Sequence, residues 1–281
     1  MRVIVTGGTG RAGRWTVREL AEAGHEVVNV DRARPSEPLP GSFIQIDLTD
    51  AGEVYDVFAQ VRPEGVCHLA ANPSPSGFSR NGTFENNVLS TYHVMQAAGD
   101  LGVGRFIYAS SEMATGWLTT EALPSHIPFN EADRVESPNA YALAKYMGEI
   151  IGASLAVRYP AMAICSLRIN NVIPPDEYDR LQRRRDNFPE EGSGNFWSYI
   201  DARDVGGAFR AALEGQSSGH EVFLIAAADT CIEVPLAQAI ETRYGQTPNM
   251  TPGHGDFQSA FDCNKIKRFF GWEAQYSWRN Q

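Results

Sequence analysis

Short apolar runs and amphipathic stretches alternate along the first 170 residues of the chain. The run "RVIVTG" (2–7) is β-branched and ends in glycine, and "RWTVRELAEAG" (14–24) then sets apolar residues at helical spacing up to a stop at Gly24. "EVVNVD" (26–31), "SFIQID" (42–47), "GVCHLA" (65–70), "RFIYAS" (105–110) and "MAICSLR" (162–168) read as further buried strands. Amphipathic helices are predicted between several of them, over 51–61, 83–101 and 138–158. The last of these carries Leu143, Met147, Ile150 and Ile151 on what the pattern predicts as its buried side. Such alternation predicts an α/β fold, a doubly wound parallel sheet with helices on both faces. From 174 to 197 the pattern breaks into a polar, Arg- and Pro-rich stretch that reads as a loop. "WSYI" (197–200, strand), 203–214 (helix), "HEVFLIAA" (220–227, strand), 233–244 (helix) and "DCNKIKRFFGW" (262–272, short helix) follow.

Composition narrows the class. A 281-residue chain with 43% hydrophobic and 21% charged residues is ordinary for a soluble globular protein. Its formal charge of −10 repels a phosphate backbone, so nucleic acid is not an expected partner. Cys67, Cys165, Cys231 and Cys263 lie far apart without ligand spacing, and they read as reduced thiols of a cytoplasmic protein. His25, His93, His126, His220 and His254 have no partners at metal-ligand spacing, so no metal is expected. His68, inside a strand, reads as a hydrogen-bonded structural residue. No charged leader precedes the first strand and no run of 18 apolar residues occurs, so neither a signal peptide nor a membrane span is expected.

"VTGGTGRAG" sets Gly7, Gly10 and Gly13 three residues apart where the first strand turns into the first helix. Glycine permits the tight turn and lets backbone N–H groups approach a pyrophosphate at the helix N-terminus. Asp31 ends the second strand about 20 residues on, where a ribose 2′-hydroxyl is held in dinucleotide-binding turns of the Rossmann type. No Gly-Lys-Ser/Thr follows, which excludes a phosphate-loop nucleotidase. Asp31 favours NAD, whereas Arg32 and Arg34 offer partners for a 2′-phosphate, so NADP stays open; Arg32 reads equally well as a surface charge. The expected organisation is one domain, 1–281. Residues 1–170 mainly form the NAD(P)-binding Rossmann core and 171–281 mainly a small C-terminal substrate-binding lobe, with 198–228 returning to the core.

In "SPNAYALAKYMGEIIGA" (137–153), Tyr141 and Lys145 stand one turn apart on a helix and can address a common target. Together with the glycine turn, they carry a resemblance to the extended short-chain dehydrogenase/reductases of the NAD-dependent epimerase/dehydratase type, closest to compact uronate and aldose dehydrogenases. "TGGTGRAG" resembles that family's TGxxGxxG, Asp47-Leu48 its adenine-contacting pair, "HLAA" (68–71) its fourth-strand motif and Asn87 its central-helix asparagine. "YASSEM" (108–113) matches the fifth-strand serine, "YALAK" (141–145) the YxxxK and "LRINNVIPP" (167–175) the sixth-strand RxxNVxGP. "WSYIDARDV" (197–205) and "DCNKIKRFFGW" match two later signatures.

The resemblance implies Tyr141 as acid/base, Lys145 as its electrostatic partner and Ser111 as the hydroxyl that polarises the reacting oxygen. An adjacent ammonium and an oxidised nicotinamide both favour the phenolate, which a free phenol with a pKa near 10 reaches poorly at neutral pH. Cofactor contacts are implied for Gly7, Gly10, Arg11, Ala12, Gly13, Asp31, Arg32, Asp47, Leu48, Leu69, Ala70, Ala71, Asn87, Tyr141 and Lys145. Of the adjacent serines, the alignment selects Ser111 for the cleft and leaves Ser110 to packing or capping. Helices 83–101 and 138–158 pair across a homodimer in many relatives, so a homodimer is expected.

For the substrate, the stretch between Pro175 and Tyr199 is short for the subdomain that grips a nucleotide diphosphate in sugar-nucleotide enzymes of this type. A free sugar or sugar acid, oxidised by hydride transfer to NAD(P), is the leading expectation. An NDP-sugar 4-epimerase or dehydratase with bound NAD is the alternative, and a non-catalytic NAD(P)-sensing protein the third. Met113 stands near where many epimerases and dehydratases carry a second hydroxyl. Ser74, Ser111, Glu112, Asn171 and Arg180 are the expected substrate contacts. Uronate dehydrogenases carry a neutral amide directly after the serine, whereas Glu112 here disfavours a substrate carboxylate. Arg180, Arg183, Arg184 and Arg185 are placed to offset it, so uronic acid and neutral aldose both stay open.

Overall fold

The computed structural model describes residues 1–117, 122–133 and 136–280. Strands β1 (Arg2–Thr6), β2 (Glu26–Asp31), β3 (Ser42–Gln45), β4 (Gly65–His68), β5 (Arg105–Ser111) and β6 (Ala163–Ile169) are joined by crossovers long enough to keep them parallel. A two-residue pair, β7 (Val172–Ile173) and β8 (Ile200–Asp201), stands apart, and β9 (His220–Ile225) completes the main sheet in the order β3-β2-β1-β4-β5-β6-β9. Every pair is parallel, and the direction of strand addition reverses between β1 and β4. Ligand crevices form at such a reversal, outside the carboxyl ends of the strands.

The helices are α1 (Gly13–Glu22), α2 (Ala51–Val61), α3 (Arg80–Asp100), α4 (Ala140–Arg158), α5 (Asp179–Asp186), α6 (Ala202–Glu214), α7 (Leu236–Tyr244) and α8 (Asn264–Phe270). Side chains satisfy the first amides of several: Asp50 accepts from Gly52 and Glu53, Ser79 from Gly82, Asn139 from Ala142 and Asp201 from Arg203. Strand alternation sorts the core. Val3 and Val5 pack with Val17, Leu20, Val205 and Phe209 under α1 and α6, while Ile4 packs with Val54, Phe58, Val94 and Met95 under α2 and α3. A third cluster, with Phe129, Leu181, Phe196, Trp197, Tyr199 and Phe261, builds the lobe beyond β6. Among the described residues no helix is long and apolar enough to cross a membrane.

Four departures from the sequence pattern bear on the site. The stretch 174–197, expected as a loop, contains α5; "DRLQRRRD" hid it because Leu181 is its one buried residue. Only Ile200–Asp201 of the expected strand around "WSYI" pairs as a strand, and β3 stops at Gln45 rather than Asp47. The most consequential is α4. Leu143 and Ile150, expected inside, are 39% and 44% exposed, and the inner face instead carries Tyr141, Lys145 and Glu149 at successive turns. Ala144, Gly148 and Gly152 let that face approach the sheet: a Cβ at Gly148 would fall 2.3 Å from the Tyr108 hydroxyl.

Glu149 anchors the polar stripe. Its carboxylate takes two hydrogen bonds from Arg168 of β6, at 3.0 and 2.9 Å, and one from the Ser110 hydroxyl of β5 at 2.5 Å. Both charged side chains are 4% exposed. Breaking a buried pair from one side leaves an uncompensated charge, so Glu149→Ala is expected to lower unfolding stability by about 3–5 kcal/mol. Urea denaturation measures this; a loss under about 1 kcal/mol would remove the pair from its anchoring role.

Candidate active site

At the end of β1 the chain must turn within van der Waals reach of the end of β4. Gly7 adopts φ +70°, and a Cβ there would lie 2.5 Å from the Ala70 amide nitrogen. Gly10 N donates to Gly7 O at 3.0 Å, and a Cβ on Gly13 would come within 2.0 Å of that same oxygen. Helix α1 then begins at Gly13, and its N-cap, Ala12, offers no capping side chain. An uncapped helix start beside a glycine cradle matches the donors a pyrophosphate needs, so the residues present fit a dinucleotide.

Across the crevice, Asp31 Oδ2 accepts from the Thr9 hydroxyl at 2.5 Å and the Thr9 amide at 3.2 Å, which fixes the carboxylate at the end of β2. Arg32 is turned onto Asn72 Oδ1 at 3.1 Å. The amide and hydroxyl of Thr49 hold Asp47 below the usual carboxylate range. A single cavity of about 750 Å³ runs along these residues and on to the ends of β5 and β6. It is lined by Gly7, Gly10, Arg11, Ala12, Gly13, Asp31, Arg32, Asp47, Leu48, Leu69, Ala70, Ala71, Ser74, Ser111, Glu112, Tyr141, Lys145, Asn171 and Arg180. Asn87 is not among its walls. Asn87 instead clamps the backbone after β4, accepting from Asn72 N at 2.7 Å and donating to Asn72 O at 3.1 Å, while Asn86 and Ser90 of the same helix face the cavity.

Ser111, Tyr141 and Lys145 meet at one end of this cavity, 7%, 8% and 4% exposed. Burial disfavours the charged form of each titratable partner. It pushes the Tyr141 phenol up to about 12, with the hydrogen-bonded Ser111 hydroxyl pulling the other way. Burial also lowers Lys145 to about 7. The Lys145 ammonium donates to Ala109 O at 2.6 Å and stands 5.9 Å from the centre of the Tyr141 ring. Ser111 Oγ also accepts from the Met113 amide at 3.2 Å, which turns the hydroxyl toward the first turn after β5. Ser110 gives its hydroxyl to Glu149. His68 lies fully buried between the Thr6 and Thr91 hydroxyls, at 2.7 and 3.1 Å, and burial lowers its pKa to about 3.

Beyond Tyr141 the walls are polar. Asn195 Nδ2 donates to Ser198 O at 3.0 Å, Asn170 Oδ1 at 3.2 Å and Glu112 Oε1 at 3.4 Å. Burial raises the Glu112 carboxyl to about 8 against the opposing pull of Arg184, Asn195 and the Asn171 amide. Arg180 pairs with Glu177 at 2.8 Å, and Glu177 reaches Arg11 of the glycine turn at 3.2 Å. Arg184 donates to Ser198 O at 3.0 Å and shares the cavity wall with Glu112. Asn170 and Asn195 escaped the sequence reading: the "INN" doublet gave one visible cue for Asn170, whereas the turn holding Asn195 has no periodic signal at all.

The parallel sheet, its glycine turn and the cleft at the strand reversal define a dinucleotide-binding protein of the Rossmann class. The chain belongs to the NAD-dependent epimerase/dehydratase family, whose sequence pattern matches residues 3–226. It is 30% identical over 233 residues to an NAD-dependent glucose-6-phosphate dehydrogenase of Haloferax volcanii, covering 75% of this chain and 80% of that one. It is 24% identical over 313 residues to a UDP-glucose 4-epimerase of Lacticaseibacillus casei, covering 98% and 92%. The UDP-glucose 4-epimerase of Thermus thermophilus, in complex with NAD, shares the fold, with TM-score 0.74, 23% identity and coverage of 99% and 96%. The cofactor of the family is NAD. With Asp31 fixed at the end of β2 in the same cavity as the glycine turn, Asp31→Ala is expected to weaken NAD binding about tenfold or more and NADP binding less. Calorimetry with both cofactors decides; an unchanged preference would remove Asp31 from the ribose site.

Proposed function

We propose that this protein is an NAD(P)-dependent dehydrogenase that removes a hydride from a small free sugar or sugar acid and releases reduced cofactor. The observation that carries the reading is that Ser111, Tyr141 and Lys145 share one cavity with the glycine turn. Bound NAD supplies the hydride acceptor. Gly7, Gly10, Gly13, Asp31, Arg32, Asp47 and Leu48, with the strand end at Leu69–Ala71, would hold the dinucleotide. Tyr141, as phenolate, takes the substrate hydroxyl proton, and Ser111 donates to the oxygen as it becomes a carbonyl. Lys145, 5.9 Å from the centre of the Tyr141 ring, favours the phenolate when charged, against a phenol pKa that burial and Glu112, opposed by Ser111, raise to about 12.

Two features favour a small sugar over a sugar nucleotide. Tyr141 is the one aromatic residue among the described walls of the cavity, because Phe196, Trp197 and Tyr199 of the lobe are all 0% exposed and offer a base no stacking face. The 30% identical Haloferax volcanii relative also carries the name of a dehydrogenase of a monosaccharide phosphate. The reading further includes a homodimer in a reducing compartment such as the cytoplasm. Leu143, Ile150 and Val157, 39%, 44% and 83% exposed, recur every seven residues along α4 beside Leu89 and Tyr92 of α3, and all four cysteines are free thiols.

Net turnover tests the proposal. Nicotinamide reduction is followed against free aldoses, uronic acids, sugar phosphates and UDP-sugars. One reduced cofactor per sugar oxidised is expected, and Tyr141→Phe should cut kcat by about 100-fold or more at unchanged NAD affinity. Isomerised UDP-sugar without accumulated reduced cofactor would reject a dehydrogenase, and a fully active Tyr141→Phe would reject the phenol as base.

A further inference from the structure

At the lobe end of the cavity four buried polar atoms have no hydrogen-bond partner: Glu112 Oε2, Asn170 Nδ2, Asn171 Nδ2 and Asn195 Oδ1. All four residues line the cavity, and Glu112, Asn170 and Asn195 are 6%, 2% and 3% exposed. Unsatisfied groups at this depth are costly and rarely cluster without a ligand to complete them.

The orientation of two of the amides is fixed by their neighbours. Asn170 Oδ1 accepts from the Asn171 amide at 2.6 Å and from Asn195 Nδ2 at 3.2 Å, so the free end of Asn170 is its NH₂. Asn195 faces three acceptors, Ser198 O, Asn170 Oδ1 and Glu112 Oε1, which only its NH₂ can serve; its free end is the carbonyl oxygen. The unpaired set is therefore mixed: the NH₂ groups of Asn170 and Asn171 donate and Asn195 Oδ1 accepts, while Glu112 Oε2 accepts once the carboxyl, raised to about 8 by burial, has ionised.

A hydroxyl group both donates and accepts, so adjacent hydroxyls can complete all four atoms. A carboxylate or phosphate only accepts, and with Glu112 ionised would leave Asn195 Oδ1 and Glu112 Oε2 facing further lone pairs. Arg184, whose charge acts on Glu112, donates to Ser198 O.

We propose that Glu112 and the amides of Asn170, Asn171 and Asn195 form a hydroxyl-receiving subsite that selects an uncharged polyol ring over the corresponding uronic acid or sugar phosphate. This rests on the reading of the cavity as a sugar dehydrogenase site and narrows it to neutral aldoses. Glu112 is the specificity-determining member, since in its ionised form it supplies an acceptor where a carboxylate substrate needs a donor.

The test compares three ring-matched sets: D-glucose, D-glucuronate and D-glucose 6-phosphate; D-galactose and D-galacturonate; D-mannose and D-mannuronate. Both kcat/KM with NAD and calorimetric affinity for the protein loaded with reduced cofactor are measured at a pH above the raised Glu112 value of about 8, where the carboxyl is ionised. In the best-used set the neutral sugar should exceed its anionic partners by about 10- to 100-fold in both quantities. Glu112→Gln, which presents an NH₂ in place of one oxygen, should narrow that ratio at least about tenfold while NAD affinity holds. A preference for an anionic sugar, a ratio unmoved in a folded, NAD-binding Glu112→Gln variant, or no binding of any neutral sugar would overturn the subsite. Neutral sugars that bind selectively without yielding reduced cofactor would uphold the subsite and reject the dehydrogenase reading instead.

Discussion

The site depends on burying the polar face of one helix against the sheet. Tyr141, Lys145 and Glu149 lie at successive turns of α4, all turned inward, and each is satisfied by what the sheet offers at that height. Glu149 meets Arg168 and Ser110, Lys145 meets the Ala109 carbonyl, and Tyr141 meets the Ser111 hydroxyl. Small residues on the same face remove the side chains that would hold the helix away from β5. Geometry at the strand end thus follows from a contact made two turns further along the helix.

Burial that is costly for stability is what gives this face its chemistry. Desolvation raises the phenol to about 12 and lowers the ammonium to about 7, so the pair stands far from its solution values. Such a pair responds strongly to any positive charge brought alongside. The glycine turn lies at the other end of the same cavity, at the crevice between β1 and β4, the kind of strand reversal where dinucleotides bind. Strand order and helix docking therefore shape one cavity from two sides.

Most of this arrangement was legible in the sequence because it is local. The apolar runs of the sheet, α2 over 51–61 and the three-residue spacing of Gly7, Gly10 and Gly13 follow from period and turn chemistry alone. What the sequence obscured depends on tertiary contacts. The apolar residues of α4 suggested the wrong inner side, because polar residues at a functional helix are buried against specific partners that no periodicity reveals. Helix α5 has a single buried residue and leaves no stripe. Arg180, chosen from its neighbourhood of arginines, is tied to Glu177, whereas Asn195 enters the cavity wall from a turn with no pattern. Asn87 belongs to the backbone clamp behind the wall.

The central claim is that the buried phenol of Tyr141 becomes a base when positive charge joins it in the cleft. Titration of ¹³C-labelled tyrosine by NMR, with Tyr141→Phe to identify the resonance, measures it directly in the presence and absence of saturating NAD. The account predicts a phenol pKa pushed up to about 12 in the protein alone, falling below the ordinary value of about 10 once NAD is bound. A pKa that stays above 10 in the complex would contradict it.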